Sequence, residues 1–151
     1  VSSYVLRTDG GARGNPGPAG AGFVLEGPGG ERVCSGGRFL GEATNNVAEY
    51  EALLWGLETA IARAATPLTV YLDSELVVKQ LNGAYRVKHP GLKPLHARAV
   101  ALLRALDSPR IEHVRRESNV EADALANAAM DARGTVGDTE APSSDAQRSL
   151  F

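Results

Sequence analysis

The sequence predicts an α/β domain on a mixed five-stranded sheet, three antiparallel strands followed by two added through helices, with helices on both faces. Three observations carry this. The first forty residues hold short β-prone runs broken by glycine. A long run of strong helix formers follows, and after it apolar strand-like runs alternate with helical spacing. Tyr4-Val-Leu-Arg-Thr-Asp9 is a β-prone run ending in Gly10-Gly11, with the turn-rich Gly14-Asn15-Pro16-Gly17-Pro18 after it. Residues 20–26 and 32–40 flank Gly27-Pro28-Gly29-Gly30 and read as a hairpin. From residue 47 to 64 the pattern is helical, with Thr44-Asn45-Asn46 as its start signal. Residues 68–72 form a compact apolar strand after Pro67, and residues 75–81 a short helix stopped by Asn82-Gly83. A helix over 95–106, a strand over 110–115 and a closing helix over 120–132 complete the order β-β-β-α-β-α-α-β-α.

With 151 residues the chain fits one folded unit, expected over 1–133. Residues 134–151 are rich in Gly, Thr, Ser, Pro and Asp until Leu150-Phe151, and a disordered tail or linker is expected there. A start at Val1 and a linker-like end raise the expectation of a piece of a longer protein. No stretch approaches the ~18 consecutive apolar residues of a membrane helix, so no membrane is expected. One cysteine, Cys34, excludes an internal disulfide and reads as a small apolar strand residue in a reducing, cytoplasmic compartment. A monomer is expected.

The net charge of −2 is not that of a strongly basic nucleic-acid binder. Asp138, Glu140 and Asp145 against Arg148 leave the first 133 residues neutral, with 15 basic and 15 acidic groups. Cations neutralising four of those acids would turn the balance positive and compatible with a polyanion.

Four acids stand where a strand ends or a helix begins: Asp9, Glu49, Asp73 and Asp123. Each alone has a structural explanation. Asp9 suits a turn, Glu49 completes a capping box with Asn46, and Asp73 suits a helix cap. Asp123 suits a first helical turn capped by Ser118 and Glu121. Together they suit another task. Phosphodiester hydrolysis needs a nucleophilic water beside a polyanion and positive charge on the attacking and leaving oxygens. Two hard divalent ions held by carboxylates supply both. Clustered carboxylates repel one another, so such a group makes sense when cations fill it.

Residues 4–132 resemble the type I branch of the ribonuclease H family. The matching stretches are Asp9-Gly-Gly-Ala-Arg-Gly-Asn15-Pro-Gly-Pro-Ala-Gly and Thr44-Asn45-Asn46-Val-Ala-Glu49-Tyr-Glu-Ala-Leu53, with Leu72-Asp73-Ser74 and Asn119-Val-Glu-Ala-Asp123-Ala-Leu-Ala. The resemblance implies the ribonuclease H-like fold and endonucleolytic cleavage of the RNA strand of RNA/DNA hybrids, leaving 5′-phosphate and 3′-hydroxyl ends. It implies two Mg²⁺ ions, with Mn²⁺ as substitute, on Asp9, Glu49, Asp73 and Asp123, Asp9 bridging both. Asn15, Asn45, Asn46, Gly10 and Ser74 are implied as substrate contacts, the amides reading 2′-hydroxyls and base edges in the minor groove.

Three departures qualify the pattern. Where many members carry a mobile histidine, this chain reads Val114-Arg115-Arg116-Glu117-Ser118, as in a sub-branch with arginine. Arg116 then serves as a permanent cation toward phosphate, and tolerance of other RNA-containing duplexes is implied. The basic protrusion that holds the DNA strand is shortened to Arg86, Lys88, His89, Lys93, His96 and Arg98. Those six are either phosphate contacts or a solvated face. Glu75 stands where a neutral polar residue is common, and Trp55 is assigned to the core. The competing functions are a DNA-acting nuclease or integrase on the same fold and a non-catalytic hybrid-binding module.

Overall fold

The computed structural model describes residues 3–137. Three strands come first, β1 (Tyr4–Ala12), β2 (Gly17–Glu26) and β3 (Arg32–Ala43), then helix α1 (Asn45–Ala62). Strand β4 (Leu68–Leu72), helices α2 (Glu75–Leu81) and α3 (Lys93–Ala105), strand β5 (Arg110–His113), a 3₁₀ turn (Arg116–Ser118) and helix α4 (Val120–Ala132) follow. The sheet order is β3-β2-β1-β4-β5. The β1/β2 and β2/β3 ladders are antiparallel, and β1/β4 and β4/β5 are parallel. This is the predicted mixed sheet.

Several boundaries differ from the sequence expectation. β1 continues past Asp9, because Gly10 and Gly11 pair with Ala21 and Gly20 of β2 instead of turning. The turn closes later, where the Arg13 N–H donates to the Pro18 carbonyl at 2.8 Å. α1 is capped by Thr44, whose hydroxyl accepts from the Val47 N–H at 3.2 Å. Glu49 therefore lies too far into the helix to close a capping box, and Asn46 is no cap. Ser74, not Asp73, caps α2 by accepting from the Val77 N–H at 3.3 Å. Asn119, not Ser118, precedes α4, and Glu121 pairs instead with Arg32. β5 stops at His113, although the Val114 N–H still donates to the Leu72 carbonyl at 2.9 Å, and the 3₁₀ turn begins at Arg116.

Alternation along β2 sends Phe23 toward α1, where it meets Trp55 edge-on at 4.7 Å, and leaves Gly22 facing α4. Helices thus cover both faces. The main core lies between the sheet and α1, built on Leu6, Phe23, Leu25, Leu53, Leu57 and Val70. Each such buried side chain contributes roughly 1.5–3 kcal/mol. Trp55 and Cys34 are buried, as expected from the sequence. α1 buries residues nearly all round, so it is the central helix.

Beyond α4 the chain returns to the sheet. Val136 exchanges both backbone hydrogen bonds with Gly37 of β3, at 2.8 and 2.9 Å. The stretch expected as a tail from 134 thus begins with residues held on β3, and 138–151 lie outside the described residues.

Candidate metal-dependent active site

The last β1/β4 rung joins Thr8 to Leu72, so Asp9 and Asp73 are the next residue on each of two adjacent parallel strands. Such a place, outside the carboxyl ends of parallel strands, is where α/β sheets open a crevice. Glu49 arrives from α1 because Gly10 lacks a side chain: a Cβ there would lie 2.1 Å from the Ala48 carbonyl oxygen. The Gly10 N–H, past the last β4 rung, lies near enough to the Glu49 carboxylate to pull its pKa down. Asp123 arrives from α4 because Gly22, opposite Asp9 in register, lets that helix close in. A Cβ at Gly22 would lie 2.2 Å from the Ala122 carbonyl oxygen.

Carboxylate oxygens of Asp9, Glu49 and Asp73 lie within 4.8 Å of one another, within reach of a single ion. Asp123 stands outside that triple but close enough to Asp9 to help raise its carboxyl pKa. All four line one cavity of about 510 Å³ with Gly10, Asn45, Ser74 and Arg116. Burial, then the charges of Glu49, Asp73 and Asp123, push the Asp9 carboxyl up to about 9. Burial and Asp73 push Glu49 up to about 8, against the opposing pull of the Gly10 N–H and Arg116. Glu49 Oε1 and Asp73 Oδ2 are buried without a hydrogen-bond partner. Uncompensated buried oxygens of this kind are costly. The donor set is all oxygen and anionic, so these residues fit a hard divalent cation.

The predicted substrate contacts divide. Asn15 Oδ1 accepts from the Asn45 N–H at 2.9 Å, and Asn45 Oδ1 accepts from the Ala12 N–H at 2.8 Å. These bonds fix both amide orientations and leave the two Nδ2 groups as donors. Asn45 lines the cavity; Asn15 braces it from the turn, and Asn46, half-buried, does not line it. Arg116 is 86% exposed at its side chain, with Nε 4.0 Å from Asp73 Oδ2, so it overhangs the rim.

The sequence matches what the geometry outlines. The profile described as Reverse transcriptase-like matches residues 7–129. The chain is 47% identical over 123 residues to "Ribonuclease HI" of Halobacterium salinarum, covering 82% of this chain and 62% of that protein. A crystal structure of that organism's RNase H1 superposes with TM-score 0.82 at 45% identity, over 85% of this chain and 97% of the other. The chain belongs to the ribonuclease H family. "Bifunctional protein Rv2228c" of Mycobacterium tuberculosis is 46% identical over 129 residues, 85% of this chain, which spans 35% of that relative's length. LC11-RNase H1, solved in complex with an RNA/DNA hybrid, superposes with TM-score 0.82 at 40% identity, over 86% of this chain and 98% of that one.

Within this ribonuclease H fold the six-residue basic stretch is split. Arg98 pairs with Glu58 at 2.6 Å, and His96 Nε2 lies 3.2 Å from the Gln80 carbonyl, edge-on to Tyr50. His89 Nδ1 accepts from the Gly91 N–H. Only Arg86 and Lys88 of the six line an exposed groove with Tyr85. Glu75 is paired with Lys79 at 3.1 Å.

Three participants escaped the sequence reading. Arg13 and Asn127 line the acid cavity, and Asn119, buried, donates to the Thr8 carbonyl at 2.8 Å. Asn119 sits inside the stretch that resembles the family's last helix, but nothing in its local pattern marks a tie to β1. Among the described residues, no helix is long and apolar enough to cross a membrane.

Proposed function

We propose that the chain hydrolyses the RNA strand of RNA/DNA hybrids endonucleolytically, leaving 5′-phosphate and 3′-hydroxyl ends. The observation that carries this is the convergence of four carboxylates from β1, α1, β4 and α4 on one cavity, with two of their oxygens buried and unpartnered. Asp9, Glu49, Asp73 and Asp123 would hold two Mg²⁺ ions, Mn²⁺ substituting, with Asp9 shared between them. When bound, these cations supply the positive charge that acidifies a water and offsets charge on the attacking and leaving oxygens.

The chain's own groups bind and orient the duplex. The Asn45 Nδ2, its Oδ1 already engaged by β1, is left to donate to a 2′-hydroxyl or base acceptor in the minor groove, with Asn15 holding its backbone. Asn46 contributes from beyond the cavity. The Gly10 backbone leaves room for the strand beside Asp9, and Ser74 keeps a hydroxyl proton to donate while it caps α2. Arg116, on the rim beside Asp73, holds a phosphate with its guanidinium fork. The buried cysteine Cys34 suits a reducing cytoplasm, and the chain acts as a monomer.

The test compares cleavage of labelled RNA/DNA, RNA/RNA and DNA/DNA duplexes with and without EDTA. Hybrid cleavage in Mg²⁺, its loss in EDTA, and a drop of at least ~100-fold in Asp9→Asn and Asp73→Asn are expected. Wild-type rates in those variants, or preferential DNA/DNA cutting, would refute the reading.

A further inference from the structure

We propose that Arg13 is a phosphate-binding residue for the cleaved strand, gripping its backbone on the β2 side of the carboxylates while Arg116 grips it on the β5 side. This rests on the hydrolytic reading above and extends it to a residue with no assigned role.

Sheet order supplies the placement. Arg13 leaves the turn between β1 and β2, whereas Arg116 follows β5, and the strand order β2-β1-β4-β5 puts Asp9 and Asp73 between them. Both arginines line the cavity of the four acids. The chain of neighbours runs the same way: Arg116 beside Asp73, Asp73 clustered with Asp9 and Glu49, and Asp9 in one cavity with Asp123. One helical turn after Asp123 comes Asn127, which holds Arg13. A strand with its scissile phosphate over the acids therefore has a cation waiting on each flank.

Arg13 is oriented by α4, through Asn127 on the cavity wall and Asp131 beyond it. Its Nη1 donates to Asp131 Oδ1 at 2.8 Å, and its Nη2 lies 3.3 Å from Asn127 Oδ1 and 3.4 Å from the Asn127 carbonyl. Asp123, Asn127 and Asp131 recur every four residues along one face of α4. The guanidinium is thus drawn along that row, away from the carboxylates, leaving them free for cations. With five N–H donors in a planar fork, arginine retains donors that suit a phosphate diester. An exposed Arg–Asp pair by itself contributes at most ~1 kcal/mol, so support of α4 is a weak reason for the arrangement. Contact with phosphate carries no sequence or sugar information. Arg13 therefore sets affinity and salt dependence, and leaves the choice of RNA to the asparagines.

Two variants separate this from a structural strut. Arg13→Gln removes the cation, whereas Asp131→Asn breaks the same ion pair and keeps it. Steady-state cleavage of a labelled RNA/DNA hybrid in Mg²⁺ is measured over a salt series. Arg13→Gln is expected to raise KM about fivefold, hold kcat within about twofold, and flatten the log–log salt slope by about one. Arg13→Lys is expected to recover most of the salt slope, and Asp131→Asn to stay within about twofold of wild type in KM. Equal effects of Arg13→Gln and Asp131→Asn, or a fall in kcat with KM and slope unchanged, would overturn the assignment in favour of a strut. If the wild-type chain neither cuts nor binds the hybrid, the hydrolytic reading falls and takes this one with it. If it cuts, and Arg13→Gln matches it in KM and slope, only the Arg13 assignment falls.

Discussion

The Asn119 side-chain amide donates to the Thr8 backbone carbonyl at 2.8 Å, tying the residue before α4 to the residue before Asp9. This buried bond spans 111 residues of sequence and sets where α4 begins relative to β1, and so where Asp123 stands relative to Asp9. Asn119→Ala leaves the Thr8 carbonyl without that donor, at a cost of about 1–3 kcal/mol. Cleavage should fall further than stability does, because the fourth carboxylate loses its register. Urea unfolding beside single-turnover cleavage of a hybrid checks this. A variant destabilised by that amount yet fully active would separate Asn119 from the site.

Two glycines place the two helix-borne acids, Glu49 and Asp123, and alanine at each should fail on a different side. Gly10→Ala drives a methyl into the carbonyl of Ala48 and displaces α1 with Glu49. Gly22→Ala drives one into the carbonyl of Ala122 and displaces α4 with Asp123. Because backbone is struck in both cases, destabilisation at or above the ~1–3 kcal/mol usual for overpacking is expected. Mn²⁺ affinity, measured by calorimetry on the folded variants, should fall more for Gly10→Ala, since Glu49 belongs to the clustered triple and Asp123 does not. Equal losses would place Asp123 on level terms with Glu49 in holding metal.

Much of this was legible in the sequence, for identifiable reasons. Element order follows from local signals, glycine punctuation and helix-former runs; the four acids stand out at element ends, but each alone reads as a turn or cap, and the family resemblance is what singles them out as a set. Boundaries were less legible. Gly10-Gly11 reads as a turn locally, yet β2 presents Ala21 and Gly20 to pair with it, a long-range fact. Thr44 won the cap over Asn46 because Asn45 is committed to Ala12 and Asn15. The basic stretch reads as one patch only until Glu58 and the Gln80 carbonyl, distant in sequence, claim Arg98 and His96. Arg13, inside a glycine-rich motif that reads as a turn, gives no hint of reaching α4.

Metal-free stability should depend on pH through Asp9 and Glu49. Their folded values, about 9 and about 8, exceed the unfolded carboxylate range of roughly 4. Between about pH 4 and 9 the folded chain therefore binds more protons than the unfolded chain, and stability falls as pH rises. The contribution is complete below about pH 4 and is lost as pH climbs through 8 and 9. In EDTA, wild-type Tm should drop between about pH 5 and 9, and Asp9→Asn should flatten that drop. Adding Mg²⁺ near pH 8 should raise Tm more in wild type than in Asp9→Asn, because the cation binds the charged carboxylates of the folded state. Parallel Tm–pH curves for the two proteins would contradict the assignment of that proton uptake to Asp9.

Arg116 offers a test of a permanent against a titrating cation at one position. Its side chain is 86% exposed, with Nε 4.0 Å from the Asp73 carboxylate, so Arg116→Ala should leave stability within about 0.5 kcal/mol. Loss of the phosphate contact should lower kcat/KM about tenfold across the pH range, since arginine keeps its charge throughout. Arg116→His should behave differently. Below a pH of roughly 6.5 its imidazole is charged and should recover part of the wild-type rate. As pH rises through that value the charge goes, and activity should approach that of the alanine variant. The ratio of wild-type to Arg116→His rates, measured from about pH 5.5 to 8.5, should therefore grow with pH while the ratio to Arg116→Ala stays level. Two level ratios would mean that the charge at this position does not act on the substrate.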